Sequence, residues 1–291
     1  MSYTPDKQKN TFQQGFTLIE LSIVLVIIGL IVGGILVGQT LVHSAAQRSV
    51  VTQIERFNTA VNTFRVKYNA LPGDMTSDIA LQFGFATRTG NTGQGDGDGL
   101  IESGTFSSTT KMFGETAMFW SDLATASLIP GSFPSDTYNA SINAAWLENH
   151  DTDTLLAYLN PISDAEAFSP VIYPLSTFLP KSSFGNNNYF TVFSANSTNY
   201  FQLTIVTGIN SGVYSIGNNL SPADAYAIDA KIDDGLPGSG RLQAMEGTSA
   251  LNNAATPGTT SCVSSANTPP TYNIGGAYDS VTLCQLRFQF Q

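Results

Sequence analysis

Leu21–Val42 reads LSIVLVIIGLIVGGILVGQTLV, 22 residues without one charge. About 20 apolar residues carry a helix across the hydrocarbon of a bilayer, so this stretch is long enough to span one. Lys7 and Lys9 precede it and outweigh Asp6, which by the positive-inside rule leaves the N-terminus in the cytoplasm and the bulk of the chain outside. A secretory signal peptide would have an apolar core of about 7 to 15 residues and a small-residue A-x-A-like site behind it. The run here is longer than such a core. The segment therefore reads as an anchor with an exported domain behind it.

Two details depart from an ordinary anchor. The apolar run begins at Phe16, directly behind Gly15, and Glu20 sits within its first turn and a half. A carboxylate at bilayer depth costs about 2.5 to 3.5 kcal/mol on insertion scales and by default marks a function, so a partner for Glu20 is expected.

Gly15-Phe16-Thr17-Leu18-Ile19-Glu20-Leu21-Ser22 resembles the class III leader of type IV prepilins and type II secretion pseudopilins. The resemblance implies cleavage after Gly15 by a dedicated peptidase, N-methylation of Phe16 as the mature first residue, and Glu20 in the position of the family's fifth-residue glutamate. In that family the glutamate is thought to meet the N-terminal amine of a neighbouring subunit. Two opposite charges desolvated together compensate one another where either alone would be prohibitive. The family's leader often has a basic residue just before the glycine, whereas Gln13 and Gln14 stand there. The partners implied are other pilins or pseudopilins in a filament, the prepilin peptidase and an inner-membrane assembly platform. The implied location is the inner membrane, single-pass with the head in the periplasm, and then the filament.

Beyond the membrane run, Val50, Ile54, Phe57, Val61, Phe64, Tyr68 and Leu71 recur at alternating spacings of four and three, the stripe of an amphipathic helix. Pro72-Gly73 ends it. One helix over Phe16–Leu71 would be about 84 Å long at 1.5 Å per residue. Within it Gly34 and Gly38 form a G-x-x-x-G, a helix-contact motif that is weak alone. The expected organisation is a leader over 1–15, a membrane and filament-core helix over 16–44, and a head over 45–291 whose 45–71 segment is the second half of the helix. The fold class is α+β, with the helix packed on an antiparallel sheet.

In the head, a short helix is expected around Glu115–Leu128, with Met118, Phe119, Leu123 and Ala126 on one face. Strands are expected at Tyr189–Phe193, Tyr200–Val206 and Val213–Ile216. At the chain's end Thr282, Cys284, Leu286, Phe288 and Phe290 alternate with Gln285, Arg287, Gln289 and Gln291, which predicts a half-buried antiparallel strand. Ser221-Pro222-Ala223-Asp224 supplies an N-cap, a first-turn proline and an acid for a helix that Gly235 and Pro237 close. The segments Tyr68–Asp74, Trp120 with Leu128-Ile129, and Ile228–Gly235 look like a recurring subgroup of prepilin-like proteins with enlarged heads. That likeness supplies no ligand.

Charged residues make up 12% of the 291 residues and the formal charge is −10, with only 12 Lys and Arg. Nucleic acid is therefore not an expected ligand of the head. Cys262 and Cys284, 22 positions apart, read as one disulfide in an oxidising compartment, worth about 3 kcal/mol by loop closure; two free thiols are the alternative. Pilins resemble the bridged arrangement, commonly tying a C-terminal loop to the sheet.

Gly95-Asp96-Gly97-Asp98-Gly99 with Glu102 is oxygen-rich in the way Ca²⁺ prefers, but lacks the EF-hand's third acid and its twelfth-position glutamate. Asp96, Asp98 and Glu102 are thus either calcium ligands or a solvated turn, and no other cofactor is implied. Asp229, Asp233 and Asp234 crowd one helix end, relieved by a cation, by Lys231 or by solvent. No G-x-S-x-G, H-E-x-x-H or phosphate-loop pattern is present, and His43 and His150 have no evident nucleophile beside them. The sequence thus favours a structural subunit over an enzyme. The alternative is a minor or tip pilin whose head binds a partner or substrate, for which the aromatic and Asn-rich stretch Phe184–Phe201 is the candidate surface.

Overall fold

The computed structural model describes residues 17–85, 95–102, 115–133, 175–185, 187–210, 213–218, 220–245, 255–258, 261–275, 281 and 284–290. The chain divides into two compact units, Met1–Ala45 and Ala46–Gln291. Helix α1 spans Leu18–Tyr68 without interruption; it is long and apolar enough to cross a membrane.

In the first unit the large apolar side chains of α1 are half or more exposed from Leu18 to Val42, with Leu18 at 88%. A surface of that kind is costly in water and calls for lipid or other helices around it. Gly34 and Gly38 of the G-x-x-x-G have open space where a Cβ would stand, so none of the described residues uses the motif.

In the second unit the expected stripe is buried: Val50, Ile54, Phe57, Val61, Phe64 and Tyr68. The helix ends at Tyr68 and not at Leu71, because Asn69 takes a positive φ of 53° and leaves the helical path; Leu71 remains in the core. Helix α2 is Ser77–Phe83 and α3 is Glu115–Thr125. In α3 Phe119, Trp120 and Leu123 are buried, whereas Met118 is only half-buried.

The sheet has strands β1 (Asn188–Ala195), β2 (Thr198–Asn210), β3 (Val213–Gly217), β4 (Leu242–Met245) and β7 (Gln285–Gln289). Its order is β1-β2-β7-β4, with β3 also on β2, and all pairings are antiparallel. Asn196 and Ser197, at φ 51° and 58°, make the two-residue turn of the β1–β2 hairpin, whose handedness matches strand twist. Helix α4 is Pro222–Ile232, and Ser221 caps it by accepting from Asp224 N, as its sequence signature requires. A small hairpin of β5 (Val263–Ser264) and β6 (Thr271–Tyr272) forms a second sheet.

One face of the large sheet meets α1. Phe57 lies 5.1 Å from Phe190, 5.8 Å from Phe201 and 5.0 Å from Trp120, a cluster whose offset and edge contacts add to the buried area.

The expectation of a half-buried terminal strand fails on the other face. Gln285 and Arg287 are 2% and 8% exposed, because β7 lies inside the sheet between β2 and β4 and its polar side chains find polar partners there. Gln202 Nε2 donates to Gln285 Oε1 at 2.6 Å and Gln285 Nε2 to Asn218 Oδ1 at 3.1 Å. Arg287 Nε donates to Gln243 Oε1 at 3.0 Å, and its guanidinium stacks over Tyr200 at 4.8 Å. Buried polar groups persist when they are paired in this way.

Candidate functional site

Two regions carry the chemistry flagged by the sequence: the start of α1, and the acidic groups of the head.

At the start of α1, Thr17 and Glu20 form a reciprocal cap. The Glu20 carboxylate accepts from Thr17 N at 2.8 Å and from Thr17 Oγ1 at 2.7 Å, while Glu20 N donates to Thr17 Oγ1 at 3.3 Å. This satisfies N–H groups that the first turn of a helix otherwise leaves unpaired. The T-x-x-E spacing was present in the sequence and signals this box. The Glu20 side chain is thus held at the entrance of the helix and exposed. Gly15 and Phe16 lie outside the described residues.

In the head, three acids from distant parts of the chain converge. Asp74, Asp96 and Glu115 each offer an oxygen within 4.8 Å of the others. Asp74 follows Gly73, whose φ of 85° and contact with the backbone of Glu115 leave no room for a side chain, so only glycine lets this turn lie against α3. Asp122 reinforces the contact by accepting from Gly73 N at 2.7 Å.

The carboxylates then fasten the glycine-rich loop. Gly97 N donates to Asp74 Oδ1 at 2.7 Å and Gly99 N to Asp74 Oδ2 at 2.9 Å. Asp96 N and Glu102 N donate to Glu115 Oε1 and Oε2 at 3.3 and 2.8 Å. Burial pushes the Glu115 carboxyl up to about 9, against the pull of these two donors and with Asp74 and Asp96 adding repulsion. Glu115 therefore keeps its proton at neutral pH. Burial also raises Asp74, opposed by the N–H groups of Gly99 and Gly97.

The acids expected to act together, Asp96, Asp98 and Glu102, are not the set that converges. Asp98 caps its own turn, accepting from Leu100 N at 2.8 Å. Glu102 lends its backbone N–H to Glu115, and burial with repulsion from Asp98 and Asp96 raises its carboxyl. Asp74 and Glu115, 22 residues before and 19 after Asp96, are what local spacing missed.

A second acidic group, Asp229, Asp233 and Asp234, is engaged in a similar way, with Asp233 half-buried and Asp234 exposed to solvent. Asp229 is fully buried, accepting from Tyr272 Oη at 2.7 Å and Gly235 N at 3.2 Å. Asp233 accepts from Arg241 N and Leu242 N, and Asp234 from Leu236 N at 2.8 Å and Ser239 Oγ at 2.7 Å. Lys231 does not relieve them; its Nζ donates to Gln47 Oε1 at 2.9 Å, and Gln47 Nε2 donates onward to Asp224 Oδ1 at 3.0 Å.

Cys262 and Cys284 are joined, with Cα atoms 5.0 Å apart, and both are fully buried. Cys284 pairs with Leu220 in an isolated antiparallel bridge. The loop they close is therefore pinned to the start of β7 on one side and, through Tyr272, to α4 on the other. His150 lies outside the described residues.

Comparison with known families matches residues 10–36 to the prokaryotic N-terminal methylation motif. Comparison with curated proteins and with solved structures gave no match. The matched segment contains Gly15, Phe16 and the Thr17–Glu20 cap, and runs into the exposed apolar half of α1. This motif supports a structural subunit and is consistent with membrane anchoring. The chain carries the leader of a type IV pilin-like prepilin.

Proposed function

We propose that the chain is a filament subunit of a type IV pilus or a type II secretion pseudopilus, cut after Gly15 and N-methylated on Phe16. The observation that carries this reading is the continuity of the methylation motif with a helix whose apolar side chains are left exposed along its first half. That surface suits lipid before assembly and the helices of other subunits after it. In this reading the protein waits in the inner membrane with its N-terminus in the cytoplasm and its head in the periplasm. Its partners are the prepilin peptidase, the assembly platform and other pilins, and it needs no cofactor and no nucleic acid. Glu20 then serves twice, as half of the helix cap and as counter-charge to the Phe16 amine of a neighbouring subunit.

Mass spectrometry of the mature N-terminus tests the proposal. A chain beginning at methylated Phe16 is expected, and any other N-terminus overturns the leader assignment. A minor or tip subunit would share that N-terminus; a subunit abundant in sheared filaments is the outcome expected here.

A further inference from the structure

The charges of the second unit are sorted onto different surfaces. α1 carries Arg48, Arg56 and Lys67 on its exposed side, away from the buried stripe, with Glu55 the one acid beside them; Arg65, half a turn round the helix from Arg56, is exposed at the stripe's edge. Among the described residues none of the four makes an ion pair; Lys67 lies over the Tyr68 ring at 4.9 Å. At 1.5 Å per residue the row is about 28 Å long. Residues 69–291, by contrast, hold nineteen acidic and six basic side chains. Three of the described bases among those six turn to neutral groups: Arg287 to Gln243 and Tyr200, Lys231 to Gln47, Arg241 to a backbone carbonyl. None of these three is spent on the acids of the 95–102 loop. In the 95–102 loop Asp96, Asp98 and Glu102 are exposed, and partial burial, with repulsion from Asp98 and Asp96 added to it, raises Glu102.

We infer that the exposed Arg48–Lys67 face of α1 docks the acidic 95–102 loop of a second copy of this chain. The two surfaces are complementary in sign, and complementary surfaces set register and orientation and speed encounter. Because each copy carries one basic and one acidic face, the contact is heterologous. It leaves an unused face of each sign at the two ends, so it propagates where a two-fold contact would stop at a dimer. A nucleic acid or an anionic lipid surface would meet the basic row but be repelled by the acidic remainder of the domain; a second copy meets both. The inference rests on the filament reading and adds to it which surfaces touch.

The test places the photo-crosslinker benzoylphenylalanine at position 56 of the full chain in native membranes and sequences the adduct. The expected product is a dimer whose second peptide contains residues 95–102. Arg56→Asp with Lys67→Asp, read through a crosslinker at position 52, is expected to lower dimer yield at least tenfold. A co-expressed copy with Asp98→Lys and Glu102→Lys is expected to restore it, which a misfolded head could not do. An adduct to lipid, nucleic acid or another protein, the absence of any dimer, or a dimer indifferent to charge reversal overturns the inference. Filaments that still form under any of those outcomes leave the filament reading intact. A loop-mapped dimer in a chain not processed at Phe16 overturns the filament reading and leaves the docking contact standing.

Discussion

The phenolic hydroxyl of Tyr272 donates to Asp229 Oδ2 at 2.7 Å, and both side chains are buried. This bond ties the disulfide-closed loop to α4. Tyr272→Phe keeps the ring and removes only the donor, leaving a buried carboxylate with Gly235 N as its remaining hydrogen-bond partner. The expected cost is about 1–3 kcal/mol, the usual penalty for an under-satisfied buried acceptor, read by chemical denaturation against the wild type.

Stability is expected to fall as pH rises, through two groups. Glu115 has a folded value of about 9 against an ordinary 4.5, and Asp229 about 6 against 3.8. A folded value above the unfolded one means that the group's contribution is fully present below the unfolded value and drains away as pH climbs through the folded one. The window is therefore pH 4.5 to 9 for Glu115 and 3.8 to 6 for Asp229. Glu115→Gln, a permanent stand-in for the neutral acid, is expected to flatten the melting-temperature profile between pH 6 and about 9; an unchanged slope there would refute the assignment.

In the proposed filament Glu20 has two separable roles, and three variants divide them. Thr17→Ala breaks the cap and is expected to cost the helix about 1 kcal/mol while leaving the charge for assembly. Glu20→Gln keeps a side chain that fits a capping box but removes the charge. Glu20→Ala removes both. Sheared-filament yield is expected to collapse for both Glu20 variants and to survive in Thr17→Ala.

Replacing Cys262 with Ser is expected to cost about 3 kcal/mol, with the Cys262→Ser, Cys284→Ser double variant no worse than either single one, since one bond is lost in each case. Thiol labelling of the unreduced, denatured wild type should find no reactive cysteine.

The second half of α1 could be read from sequence because its apolar residues recur at helical spacing and share one buried face. The α4 cap was legible for a similar reason: Ser221 and Asp224 act within one turn. β7 was misjudged because alternation reports polarity, not burial. A polar face covered by its own hydrogen-bonded layer of Gln202, Thr204, Asn218 and Gln285 looks in sequence like a wet one. The acidic clamp was invisible for a different reason: Asp74, Asp96 and Glu115 meet only after α1, the loop and α3 have packed, and no local spacing encodes that. Thr17 and Glu20 did carry a local signal, overshadowed by the cost of a carboxylate in an apolar run.

The position of β7 bears on how the protein is made. β2 pairs with β7 along Tyr200–Leu203 and Gln289–Leu286, more than 80 residues later in the chain, and β4 reaches the sheet only through that same strand. As the polypeptide is synthesised, the β1–β2 hairpin emerges with one side of its ladder unoccupied, a template for unwanted strand partners. Closure must wait for a strand of high sequence separation, the slow kind of contact to form. Chains stalled anywhere before Gln285 would therefore be incomplete and prone to aggregate, so quality control of this protein should act on them until β7 has paired.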